Sequence, residues 1–105
     1  MAHTVTLIPG DSLGRELAPV TRRVVAATGV DIQWELAQAG HGAYEATGDP
    51  LPAETVDSIR KNRVCLKGRI DTPEKTGYQS PNLRLRKELD LYAVHRPVRN
   101  LPGLE

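Results

Sequence analysis

The sequence has a single cysteine, one tryptophan, three tyrosines and no phenylalanine in 105 residues. One cysteine excludes an intrachain disulfide, and Cys65, inside the apolar run Val64-Cys65-Leu66, reads as a small core residue rather than a reactive thiol. A soluble protein of a reducing compartment, the cytoplasm, is the corresponding expectation. No apolar run approaches the ~20 residues that a bilayer-crossing helix needs, which argues against a membrane role. The start, Met-Ala-His-Thr, lacks the apolar stretch of a signal peptide. Excess charge of either sign is missing too. Fourteen basic residues face thirteen acidic ones, and that near balance argues against nucleic acid as the partner. His3, His41 and His95 show no metal-ligand spacing.

What remains is the pattern of one α/β domain. Thr4–Ile8 is β-branched and apolar and stops at Pro9-Gly10, as a buried strand does. Arg15–Thr28 reads as a helix with Leu17, Val20 and Val24 on one side, Pro19 near its start and Gly29 as its cap. Asp31–Ala37 alternates as a strand. Residues 40–52, rich in glycine and proline, form a loop or a short helix. Ala53–Lys61 carries acid early and base late, as a helix dipole favours. Val64–Leu66 is a short strand, 71–79 a polar loop, and Leu91–Val98 a closing strand. This order predicts a mostly parallel sheet flanked by helices, whose ligands sit beyond the carboxyl ends of the strands. Lys67 and the Thr72 loop lie at that edge.

The last third concentrates the polar chemistry. Ser80-Pro81 is a helix start, with serine at the cap and proline at the first position. Winding Pro81–Leu89 at about 3.6 residues per turn puts Arg84, Lys87 and Glu88 on one side. Leu83, Leu85 and Leu89 bracket the other, and Asn82 and Arg86 fall within that apolar arc. An inward guanidinium needs an anion, either an internal carboxylate or a ligand's. From the residues alone, Ser80 is an ordinary cap or an anion donor, and Arg96 a surface charge or a carboxylate grip. Thr72 is a turn residue or a ligand contact, and Lys67 a solvated charge or a site cation.

Lys67-Gly68, Thr72-Pro73, Ser80-Pro81-Asn82-Leu83-Arg84-Leu85-Arg86-Lys87 and Leu91–Pro97 together resemble the β-decarboxylating dehydrogenases, the isocitrate/isopropylmalate dehydrogenase family. Leu7–Asp11 and Gly48–Pro52 fit as well, so the likeness runs from about Val5 to Gly103. The Ser80-x-Asn82-x-x-x-Arg86 spacing followed by Arg96-Pro97 is nearer to isocitrate dehydrogenase. The resemblance implies that residues 1–105 form the N-terminal part of such a domain, a chain several times shorter than a family enzyme. It implies substrate binding by Ser80, Asn82, Arg86, Arg96 and Lys67, with Thr72 near the nicotinamide. The ligand would be a small, isocitrate-like polycarboxylate, the cofactors NAD or NADP with Mg2+ or Mn2+, and the reaction an oxidative decarboxylation. The family's metal-binding aspartates and its proton-transferring tyrosine and lysine have no counterparts here. The residues therefore assign no catalytic and no metal-binding group, and the chain alone is expected to be inactive, functioning as a homodimer or with a longer family subunit. The alternative is a non-catalytic polycarboxylate-binding or regulatory module. Ser12, Arg15, Arg69 and Gln79 depart from the family pattern. Ser12 stands where glycine is usual, so it is strained if its φ is positive.

Overall fold

The computed structural model of the chain describes residues 1–74 and 77–104. Lys75 and Thr76, within the loop expected over 71–79, and Glu105 lie outside the described residues. Three parallel strands, β1 (His3–Ile8), β2 (Ile32–Leu36) and β3 (Cys65–Lys67), form a sheet in the order β2-β1-β3. Leu7 is opposite Leu36 on one side of β1 and Leu66 on the other. The helices are α1 (Leu13–Ala26), α2 (His41–Thr47), α3 (Ala53–Asn62) and α4 (Pro81–Glu88).

Alternation along β1 divides the molecule. Thr6 and Ile8 face α3. Thr6 meets the Ser58 hydroxyl at 2.8 Å and accepts from Asn62 Nδ2 at 2.9 Å, which satisfies a hydroxyl that is fully buried. The core cluster lies on this side: Ile8, Ala39, Leu51, Val56, Ile59, Ile70 and Leu85. Leu7 turns the other way, toward α1, which buries only Gly14 and Ala18.

Several boundaries move. The first helix begins two residues before Arg15, so Pro19 is its seventh residue, in the second turn. Leu13, Leu17, Val20 and Val24 do share a face, yet they are 52–64% exposed, because no described element packs over them. The third strand is shifted by one residue from Val64–Leu66, leaving out Val64 and taking in Lys67.

The closing strand expected over Leu91–Val98 is absent among the described residues. That segment has no ladder, and residues 91–100 are exposed throughout. Alternating side chains suit a strand, but a strand forms only where a neighbour takes up its backbone N–H and C=O groups.

Candidate functional site

The carboxyl ends of all three strands open onto loops tied together by one buried side chain, Asp11, which is 5% exposed. Its Oδ2 accepts from the backbone N–H of His41 at 2.9 Å and of Asp71 at 3.1 Å, and its Oδ1 from that of Gly42 at 3.2 Å. The Asp11 N–H donates to the Arg69 carbonyl at 2.7 Å. One carboxylate thus satisfies orphan donors at the start of α2 and holds the loop after β3 against the loop after β1. The loops touch backbone to backbone. A Cβ on Gly10 would lie 2.0 Å from the Arg69 carbonyl oxygen, and one on Gly68 2.2 Å from that of Pro9. Only glycine permits this approach.

Ser12 has φ 46, the left-handed conformation that disfavours a side chain, so the strain foreseen for serine there is present. Its hydroxyl donates to Asp71 Oδ2. That bond first, and the Arg69 guanidinium next, hold the Asp71 carboxyl below its ordinary range. Sequence reading missed the Asp11 junction. Its only signal was an aspartate after the strand-ending glycine, and the groups it bonds lie 30 to 60 positions away.

Beside this junction, β3 and α4 enclose a groove of about 370 Å³ lined by Cys65, Lys67, Asn82, Leu85, Arg86, Leu89 and Leu91. Lys67, Asn82 and Arg86 therefore converge. Lys67 Nζ donates to the Gly68 carbonyl at 2.9 Å. Desolvation in the groove pushes the Lys67 ammonium below its ordinary pKa, and the charge of Arg86 acts in the same direction. Desolvation pushes the Cys65 thiol up, away from a reactive thiolate.

Arg86 is exposed at the groove's rim and makes no ion pair among the described residues. The half-buried guanidinium belongs instead to Arg84, which meets Asp49 Oδ1 at 2.7 Å and Glu88 Oε1 at 3.2 Å. This corrects the assignment of Arg84 to the solvent side. The helix buries Pro81 and Leu85, leaves Leu83 41% exposed, and is rolled so that Asn82 and Arg86 border the groove.

Ser80 occupies the cap position of α4, but its hydroxyl makes no capping bond. Thr72 is exposed in the loop one residue beyond Asp71. Arg96 lies in the exposed 91–100 segment and does not line the groove. Among the described residues no group of three His, Cys, Asp or Glu side chains is placed to hold a metal ion, so the residues present do not fit Mg2+ or Mn2+ by themselves. No helix among them is long and apolar enough to cross a membrane.

A parallel sheet flanked by helices, with its strand-end loops bordering a groove that Lys67, Asn82 and Arg86 line, defines the class as an α/β fold. Within that class the chain belongs to the isocitrate/isopropylmalate dehydrogenase family, whose model matches residues 4–105. It is 45% identical over 100 residues to isocitrate dehydrogenase [NAD] catalytic subunit 5, mitochondrial, of Arabidopsis thaliana, covering 95% of this chain and 27% of that protein. It is 44% identical over 98 residues to the chloroplastic 3-isopropylmalate dehydrogenase of Solanum tuberosum, covering 93% of this chain and 28% of that one. The crystal structure of isocitrate dehydrogenase from Methylococcus capsulatus superposes with a TM-score of 0.82 at 49% identity, over 86% of this chain and 26% of that chain. The chain thus spans about a quarter of the length of these relatives.

Proposed function

We propose that this chain forms the carboxylate-binding part of an isocitrate dehydrogenase-like oxidoreductase site. The observation that carries this reading is the convergence of Lys67, Asn82 and Arg86 on one groove at the carboxyl end of β3, with Arg86 unpaired among the described residues. A guanidinium grips a carboxylate through two parallel bonds, and an ammonium adds a point charge. The Ser80 hydroxyl and the remaining free N–H groups at the start of α4 would take a further oxygen. Thr72, next to the loop residue that Asp11 anchors, would stand on the nicotinamide side of the ligand. Arg96 would join once the 91–100 segment gains a neighbour.

NAD or NADP would supply the hydride acceptor and Mg2+ or Mn2+ the charge stabilisation for an oxidative decarboxylation. This chain's own residues bind and orient the polyacid. The metal's ligands and the proton-transfer groups would come from a longer family subunit. We place the protein in the cytoplasm and read the uncovered α1 face as a surface for self-association, with a homodimer as the simplest closed form.

Calorimetric titration with isocitrate, citrate and isopropylmalate tests the reading. Saturable uptake of isocitrate that disappears in Arg86→Ala supports it. Preference for isopropylmalate moves the substrate, and no uptake of any of the three acids removes the proposal.

A further inference from the structure

Arg84 lies two residues from both Asn82 and Arg86, so at about 3.6 residues per turn it projects about 200° around α4 from each. It belongs to the opposite face of the same short helix. Its Nη1 meets Asp49 Oδ1 at 2.7 Å, and its Nη2 reaches the Leu51 carbonyl at 3.5 Å and Glu88 Oε1 at 3.2 Å.

The other end of this contact is firm. Asp49 Oδ1 also accepts from the Leu51 N–H at 2.9 Å, the Pro50 carbonyl accepts from the Gly40 N–H at 2.7 Å, and Leu51 is 1% exposed in the core. The helix is much less firmly held. α4 has eight residues, below the ~12–15 at which isolated helices become even marginal, and it buries only Pro81 and Leu85. Two buried residues four apart define a line, and a helix resting on a line can still roll about it. A charged bond off that line fixes the roll. Arg60 adds a tether at the far end, where its Nη2 donates to the Glu88 carbonyl at 2.8 Å.

We infer that Arg84 is a positioning residue of the groove: its grip on Asp49 sets the roll of α4 and so aims Asn82 and Arg86 over the end of β3. This rests on the carboxylate-binding reading of that groove. Arg84 touches no ligand in this account and acts through Arg86 and Asn82.

The test compares wild type, Arg84→Met, Arg84→Lys, Arg86→Ala and the Arg84→Met/Arg86→Ala double variant by calorimetric titration with isocitrate, beside thermal melting. Arg84→Met should weaken binding about tenfold, Arg84→Lys should recover most of that, and Arg84→Met should add nothing once Arg86 is gone. Effects of Arg84 and Arg86 that multiply independently, or an Arg84→Met affinity within about twofold of wild type, overturn the inference.

A second readout needs no ligand. Cys65, the one cysteine of the sequence, lines the groove beneath α4, so its reaction rate with an aromatic disulfide reports how firmly the helix is seated. Should wild type take up no isocitrate, the functional reading fails, and the Arg84 inference is decided by this rate. Faster labelling in Arg84→Met at an unchanged melting temperature, restored in Arg84→Lys, supports it, and an unchanged rate overturns it. If Arg84→Met does not fold, Asp49→Asn takes its place under the same expectations, because it removes the charge and keeps an acceptor for the Leu51 N–H.

Discussion

Glu35 gives the fold a measurable acid limit. Its carboxylate accepts from Lys61 Nζ at 3.0 and 2.8 Å and from the Ser58 hydroxyl at 2.7 Å. The Lys61 bonds first and the Ser58 bond next lower its pKa from the ordinary 4.5 to about 2. A carboxylate with a lower pKa in the folded state than in the unfolded one contributes stability that is present above the unfolded value. That stability is lost as pH falls toward the folded one. The melting temperature should therefore drop between about pH 5 and about pH 2, and Lys61→Met should flatten that stretch of the profile. Scanning calorimetry across the acid range checks this, and parallel profiles for the two proteins would contradict it. Glu35 is solvent-accessible, so the effect should also shrink in high salt.

Helix α4 ends in a motif that can be improved. The Leu91 N–H returns to the Arg86 carbonyl at 3.0 Å and the Asp90 N–H to that of Lys87 at 3.1 Å, with Asp90 at φ 52. This is the pattern of a left-handed helix cap, in which glycine is favoured. Asp90→Gly should raise unfolding stability by up to about 1 kcal/mol, read from urea denaturation midpoints, since the left-handed conformation costs a side-chain-bearing residue roughly that much. Leu85→Ala should cost about 2–5 kcal/mol in the same measurement, because Leu85 is the leucine α4 buries in the core cluster.

The start of this helix was legible in Ser80-Pro81, and its roll was not. Helical periodicity placed Arg84 with Lys87 and Glu88, facing water. The acid that draws Arg84 inward is 35 positions away, and no local pattern reports it. The strand expected over Leu91–Val98 failed for the same kind of reason, since its alternation is local and its ladder is not. The parallel pairing of β1, β2 and β3 was readable because short apolar strands separated by helix-length segments pair that way, whereas their order was not. Of the candidate site, Lys67, Asn82 and Arg86 line one groove, whereas Thr72, Ser80 and Arg96 lie outside its lining.

The chain as a whole is less compact than its length requires. Its radius of gyration is 15.3 Å, against about 13 Å for a compact domain of this size. The segment after α4 is exposed throughout residues 91–100. It carries Tyr92, Val94 and Val98 at 63–100% exposure, while α1 presents Leu13, Leu17, Val20 and Val24. Such surface favours association. Light scattering at micromolar concentration should give a dimer, and Leu17→Glu combined with Val20→Glu should return a monomer with its circular dichroism intact. A wild-type monomer would contradict this.

The groove itself is tested most directly by titrating isocitrate into the 15N-labelled chain and mapping the amide shifts. Saturable shifts centred on Lys67, Asn82 and Arg86, and absent in Arg86→Ala, are the predicted result. Shifts centred elsewhere, or none at millimolar isocitrate, would contradict the account.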